Sequence, residues 1–253
     1  GCEFGSNPCV PRVNETGDKI YMGDTFHSNP VVVGSPNSPI NEASYQLFAQ
    51  AKRTRTRVIY AGANDGFLHG FNAGDWDSDL TPPRHDRGTG EELFGFMPRA
   101  VRDAVKDLPK QTSFPRTLET VDGSPSVADA WFYRDVSGSD LTTVNPLLDP
   151  GDSELARWRT VLVSGLRDGG QGIFALDVTE PTQAASDSAT DYPRYLWGFP
   201  CDDCVNAENS GTAGEAAYMG FSWSEAVITR VRVAADGGSL GGYDRWVAIF
   251  GAG

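Results

Sequence analysis

The chain has 253 residues, 29 of them Gly and 16 Pro, and a formal net charge of −13. That charge repels phosphate backbones and anionic lipid, so nucleic acid is excluded as the expected partner, and no apolar stretch reaches the ~20 residues of a membrane-spanning helix. The glycine and proline surplus has no collagen period and suits many short strands joined by tight turns, in a body large enough to bury roughly 70% of its unfolded surface.

Residues 1–22 read as an N-terminal extension carrying Cys2 and Cys9. Gly1 opens directly into "CEFGSNPC" with no signal peptide, so the sequence reads as a mature fragment. "HSNPVVVG" (27–34) predicts a strand, followed by a polar loop with "SPNSPINEAS" and an Arg/Thr-rich linker, "AKRTRTR". "VIYAG" (58–62) and "FLHGFNA" (67–73) predict two strands around Asn64-Asp65-Gly66, residues that tolerate the positive φ a hairpin turn needs. "GEELFGFMP" (90–98) supplies a fourth strand. "PRAVRDAVKDL" (98–108) starts with Pro and has helical apolar spacing, which predicts a short surface helix.

The cycle then restarts. "VDGSPSVADAWFY" matches the first strand, "RTVLVSG" the second, "GIFALDVT" the third and "YLWGFP" (195–200) the fourth, with Asp168-Gly169 at the turn. A third opening follows in "GFSWSEAVITRVRV" (220–233) and "DRWVAIFGAG" (244–253). Pro30 aligns with Pro125, and Gly62 with Gly165 and Gly251. A long repeat of four strands per unit, with loops absorbing the length differences, predicts an all-β fold made of propeller blades. The expected organisation is an incomplete β-propeller over 23–253, with blades at 23–110 and 118–200 and the start of a third at 218–253. A β-sandwich with two coincidentally similar hairpins is the competing architecture.

Taken in order, "HSNPVVVG", "YAGANDGFLHGFNA", "TGEELFGFMPRAV", "VDGSPSVADA", "VLVSGLRDGGQGIFALDVTEP", "YLWGFP" and "WVAIFGAG" resemble the C-terminal β-propeller of the PilC/PilY family. These are type IV pilus tip-associated adhesins and biogenesis factors, whose blade endings are shared with quinoprotein propellers. The resemblance implies a non-enzymatic protein secreted through the periplasm to the cell surface or pilus tip. It implies (minor) pilins, a host or abiotic surface and the remaining blades of a parent protein as partners. Calcium is the cofactor the resemblance implies, although no calcium ligand carries over residue by residue.

The residues themselves offer few chemical candidates. Asp75, Asp77 and Asp79 alternate as in a calcium loop, but Leu80 stands where that loop needs Gly and Asp86 where it needs Glu. A solvated acidic insertion is the plainer reading. The pairs Cys2/Cys9 and Cys201/Cys204 suggest an oxidising, extracellular setting and two local disulfides, with cross-pairing as the second arrangement. No His follows Cys204, which excludes attached haem, and the Cys2–Cys9 gap is no zinc-knuckle spacing. His27, His69 and His85 form no ligand set by spacing, and His69, on an alternating strand, is expected to be packed or hydrogen-bonded. Trp131, Trp158, Trp197, Trp223 and Trp246 are expected to wedge between blades. The nucleophile elbow, zinc helix and phosphate loop patterns are missing from the sequence. A quinoprotein-type dehydrogenase fragment and a structural extracellular component are the alternatives to the pilus reading, and a quinone is not among the expected cofactors.

Overall fold

The computed structural model describes residues 22–106, 118–133, 156–181, 192–200, 219–233, 243–251 and 253, with the backbone alone at 132, 133, 156, 157, 233 and 243. The first sheet contains β1 (Val31–Val33), β2 (Arg57–Gly62) and β3 (Leu68–Gly74). After a small two-stranded insertion of β4 (Trp76–Asp77) and β5 (Arg84–His85), it closes with β6 (Glu92–Phe96). The second sheet runs β7 (Ser126–Tyr133), β8 (Ala156–Gly165), β9 (Ile173–Asp177) and β10 (Arg194–Phe199). A third hairpin pairs β11 (Val227–Val233) with β12 (Tyr243–Ile249). All the pairings are antiparallel, and both four-stranded sheets keep chain order across the sheet.

The repeat read from the sequence is a repeat of register. Val31 faces Tyr60, Ser126 faces Val163 and Val227 faces Ile249, each partner standing two residues before Gly62, Gly165 and Gly251. Gly95 and Gly198 likewise lie opposite His69 and Phe174 at matching places on the fourth strands.

Two cores separate the sheets. Val58, Tyr60 and Leu68 of the first blade meet Leu162, Phe174 and Leu176 of the second. On the other face of the second blade, Val161, Val163, Ile173 and Ala175 meet Ala226, Ile228, Trp246 and Ala248. Successive strand residues point to opposite faces, so a blade covered on both sides needs the unbroken apolar runs "TVLV" and "IFAL". The seam also explains the repeated glycine. A Cβ added at Gly62 would lie 2.3 Å from the Val121 carbonyl oxygen, and one at Gly165 would lie 2.9 Å from that of Ser222. Each second strand ends where the next blade's backbone passes too closely for a side chain.

The structure corrects four details of the sequence reading. Residues 27–30 are not strand: the His27 and Asn29 amides donate to Asp122 and Ser124 of the next blade, which removes them from a ladder. The expected loop and linker contain a helix, α1 (Ala43–Ala51), anchored by buried Tyr45. Its hydroxyl donates to Asp129 at 2.7 Å, and its ring meets Trp158 edge-on at 4.9 Å. The helix expected over 98–108 is a 3-10 turn at Arg99–Val101 leading into α2 (Arg102–Val105), with 107–117 outside the described residues. Of the tryptophans, Trp158 is wedged between blades against Trp246, ring centroids 5.7 Å apart, whereas Trp197 and Trp223 are exposed.

Candidate functional site

The chemistry-bearing side chains gather at the turns and the blade seam. In the first blade the β2–β3 turn holds Gly66 at φ 99°, a conformation that favours glycine. Asp65 beside it accepts the Gly23 amide at 2.8 Å and reaches His69 Nε2 at 3.1 Å. The other ring nitrogen, Nδ1, lies 2.7 Å from Glu92 Oε1 on β6. His69 is 1% exposed, and Phe71 stacks on its ring at 5.8 Å. With a carboxylate on each nitrogen, the ring satisfies both only as the doubly protonated imidazolium. Burial works against that charge, but the bonds to Asp65 and Glu92 outweigh it and hold the His69 pKa above its ordinary value. Asp65 is affected in the opposite sense: burial would raise its pKa, yet the bonds from His69 and the Gly23 amide bring it below the usual carboxylate value. His69 is thus a packed, hydrogen-bonded residue, in keeping with its place on an alternating strand.

The three aspartates of the acidic insertion have different partners. Asp75 accepts from Thr56 Oγ1 at 2.5 Å and from Asn72 Nδ2 at 2.8 Å, so both its oxygens serve the fold. Asp77 accepts the Asp79 amide at 2.8 Å, and the Asp79 side chain is exposed. Among the described residues, Asp75, Asp77 and Asp79 do not bring ligating atoms within 4.8 Å of one another. His85 caps the insertion, its Nε2 2.8 Å from the Arg55 carbonyl and its ring edge-on to Trp76. Cys2, Cys9, Cys201 and Cys204 lie outside the described residues.

The seam carries polar contacts that spacing did not reveal. Arg55 reaches from the first blade to Thr160 Oγ1 at 2.6 Å, and Thr160 passes the connection to buried Asp129 at 2.7 Å. Where the first strands begin, His27 Nδ1 lies 2.6 Å from Asp122 Oδ2 and the His27 amide donates to Oδ1 at 3.1 Å. Both residues are 95 positions apart, the same spacing as Pro30 and Pro125. They hold one place in successive blades, a correspondence that the repeat gives without the contact. Near them Phe26 is 67% and Trp223 53% exposed, which puts aromatic surface at the same end of the seam.

Comparison with known proteins agrees with this architecture. A family described as the PilY1 beta-propeller domain matches residues 22–239. The chain is similar to the type IV pilus biogenesis factor PilY1 of Pseudomonas aeruginosa, 36% identical over 218 residues, which is 83% of this chain and 14% of that one. It is also similar to a PilY1 homolog of Xylella fastidiosa, 33% identical over 183 residues, covering 70% of this chain and 11% of that one. The crystal structure of the P. aeruginosa PilY1 C-terminal domain aligns over 86% of this chain and 30% of that one, with 27% identity and a TM-score of 0.46. The chain therefore spans 14% or less of the length of these two curated relatives.

Proposed function

Because the chain belongs to the PilY1 β-propeller family, we propose that it serves as a non-enzymatic, surface-exposed module of a type IV pilus biogenesis factor. In this reading it helps pilus assembly and contributes to attachment at the cell surface or pilus tip. Minor pilins and a host or abiotic surface are its partners. The observation that carries the proposal is the family match over 22–239, together with relatives that are named as pilus biogenesis factors. The net charge of −13 fits a partner other than nucleic acid.

Calcium modulation belongs to the same proposal. Its candidate ligands are Asp75, Asp77 and Asp79; Asp79 is exposed, while Asp75 and Asp77 already accept hydrogen bonds from Thr56, Asn72 and the Asp79 amide. Disulfides within Cys2/Cys9 and Cys201/Cys204 would suit an extracellular site. The test is an in-frame deletion of this segment from the parent gene. Loss of surface pili, twitching and attachment is the expected result. Normal piliation, motility and attachment in the deletion strain would overturn the reading.

A further inference from the structure

Asp168 stands in the second blade where Asp65 stands in the first, three residues after the repeated glycine. Asp65 is engaged by the Gly23 and Phe67 amides and by His69. Asp168 has none of these partners: Phe174 replaces His69 on the facing strand, and among the described residues no hydrogen bond or ion pair holds its carboxylate. Across the seam are His27 and Asp122. The Asp122 side chain is 0% exposed, and among the described residues His27 alone hydrogen-bonds its carboxylate. Among the described residues no lysine or arginine pairs with either aspartate. The neighbouring Arg167 guanidinium lies instead over the Trp223 ring at 5.3 Å. Two carboxylates, one fully buried, therefore converge on an imidazole without a basic counter-ion, an arrangement short of positive charge.

One ligating atom from each of His27, Asp122 and Asp168 lies within 4.8 Å of the other two. A cation bonded at about 2.0–2.2 Å to nitrogen and oxygen donors fits a span of this order after a small closure. One imidazole and two carboxylates match a borderline divalent ion, and the imidazole disfavours calcium, which takes six to eight oxygen ligands. We propose that His27, Asp122 and Asp168 form a divalent transition-metal site of the zinc class that clasps the first blade to the second. The ion would keep at least one position for water, and its ligands come from both sides of the seam, so binding couples to blade docking.

The test is calorimetric titration of the whole chain with Zn2+, after thiol alkylation so that no cysteine can bind it. Asp168→Asn is the principal variant, because among the described residues the Asp168 side chain makes no hydrogen bond or ion pair. His27→Ala is the second, and Asp77→Asn/Asp79→Asn is the control. The expected result is one equivalent of Zn2+, an affinity at least tenfold weaker in either seam variant, and unchanged binding in the control. Thermal unfolding should rise with Zn2+ in the unmodified sequence and not in Asp168→Asn. Absence of saturable Zn2+ binding, or undiminished affinity in Asp168→Asn, would overturn the proposal.

Discussion

The two complete blades have one backbone plan and fill it with different chemistry. In the first, the residue after Leu68 is His69, held between Asp65 and Glu92. In the second, the matching place after Ile173 is Phe174, and Tyr195 stands three residues before Gly198, as Glu92 stands before Gly95. The difference follows from what covers each face. Phe174 points into the seam, where Phe96 of the first blade meets it at 5.2 Å and stacks on Tyr195 at 6.0 Å. His69 lies on the opposite face of its own blade, away from that seam, and is enclosed by its ion partners and Phe71. A blade can thus close a face with an ionic cluster or with aromatic packing while its strand pairing is unchanged.

Substitution at His69 tests this contrast most severely. His69→Phe places the second blade's residue in the first and removes the ring that bridges Asp65 and Glu92, which should cost about 3–5 kcal/mol, read from urea denaturation midpoints. An unchanged midpoint would mean that the triad adds nothing. The same cluster gives the first blade a pH signature. His69 has a pKa raised above 6.5, so its stabilisation is complete below that value and is lost as the pH rises through the folded-state pKa. Asp65 has a pKa lowered from 3.8, so its contribution is present above that value and is lost as the pH falls through the folded-state pKa. His69→Phe should flatten the alkaline side of the stability profile.

The glycines come next in size. Gly62→Ala forces a methyl to 2.3 Å from a backbone carbonyl and should destabilise by about 1–3 kcal/mol. Among the described residues Gly251→Ala meets the Ser224 side chain, its hydroxyl at 3.3 Å and no backbone atom, and should leave the melting temperature nearly unchanged. Equal effects at the two positions would show that the seam does not set the requirement. Tyr45→Phe is the smallest change. It removes the hydroxyl that joins Ser38 to Asp129 and should cost about 1 kcal/mol in thermal unfolding.

What was legible in the sequence was whatever repeats. Prolines and glycines at matched places, and apolar runs of strand length, identified both meanders and the third hairpin. Helix α1 was hidden because one buried side chain, Tyr45, anchors it while Leu47 remains exposed, so no apolar stripe marks its nine residues. The β4–β5 hairpin has two residues per strand, too few to show alternation. Asp75, Asp77 and Asp79 looked convergent on paper, but Asp75 turns to Thr56 and Asn72 while Asp77 takes the Asp79 amide. His27 and Asp122 share one place in the aligned repeat, but spacing gives no side-chain direction, so their contact was not legible. Glu92 reaches His69 from a strand 23 residues on, a partnership only the folded sheet creates.

Every ladder in the two four-stranded sheets joins neighbouring strands of one blade, with only the β4–β5 insertion interrupting the chain order between β3 and β6, whereas the blades meet through side chains and a few single hydrogen bonds. Such an array is energetically close to a row of dominoes, with each unit sensing only its immediate neighbours. Damage at the Gly62 seam should therefore loosen two adjacent sheets and leave the β11–β12 hairpin undisturbed. Hydrogen exchange would record it as a step in protection along the row, not as one uniform loss.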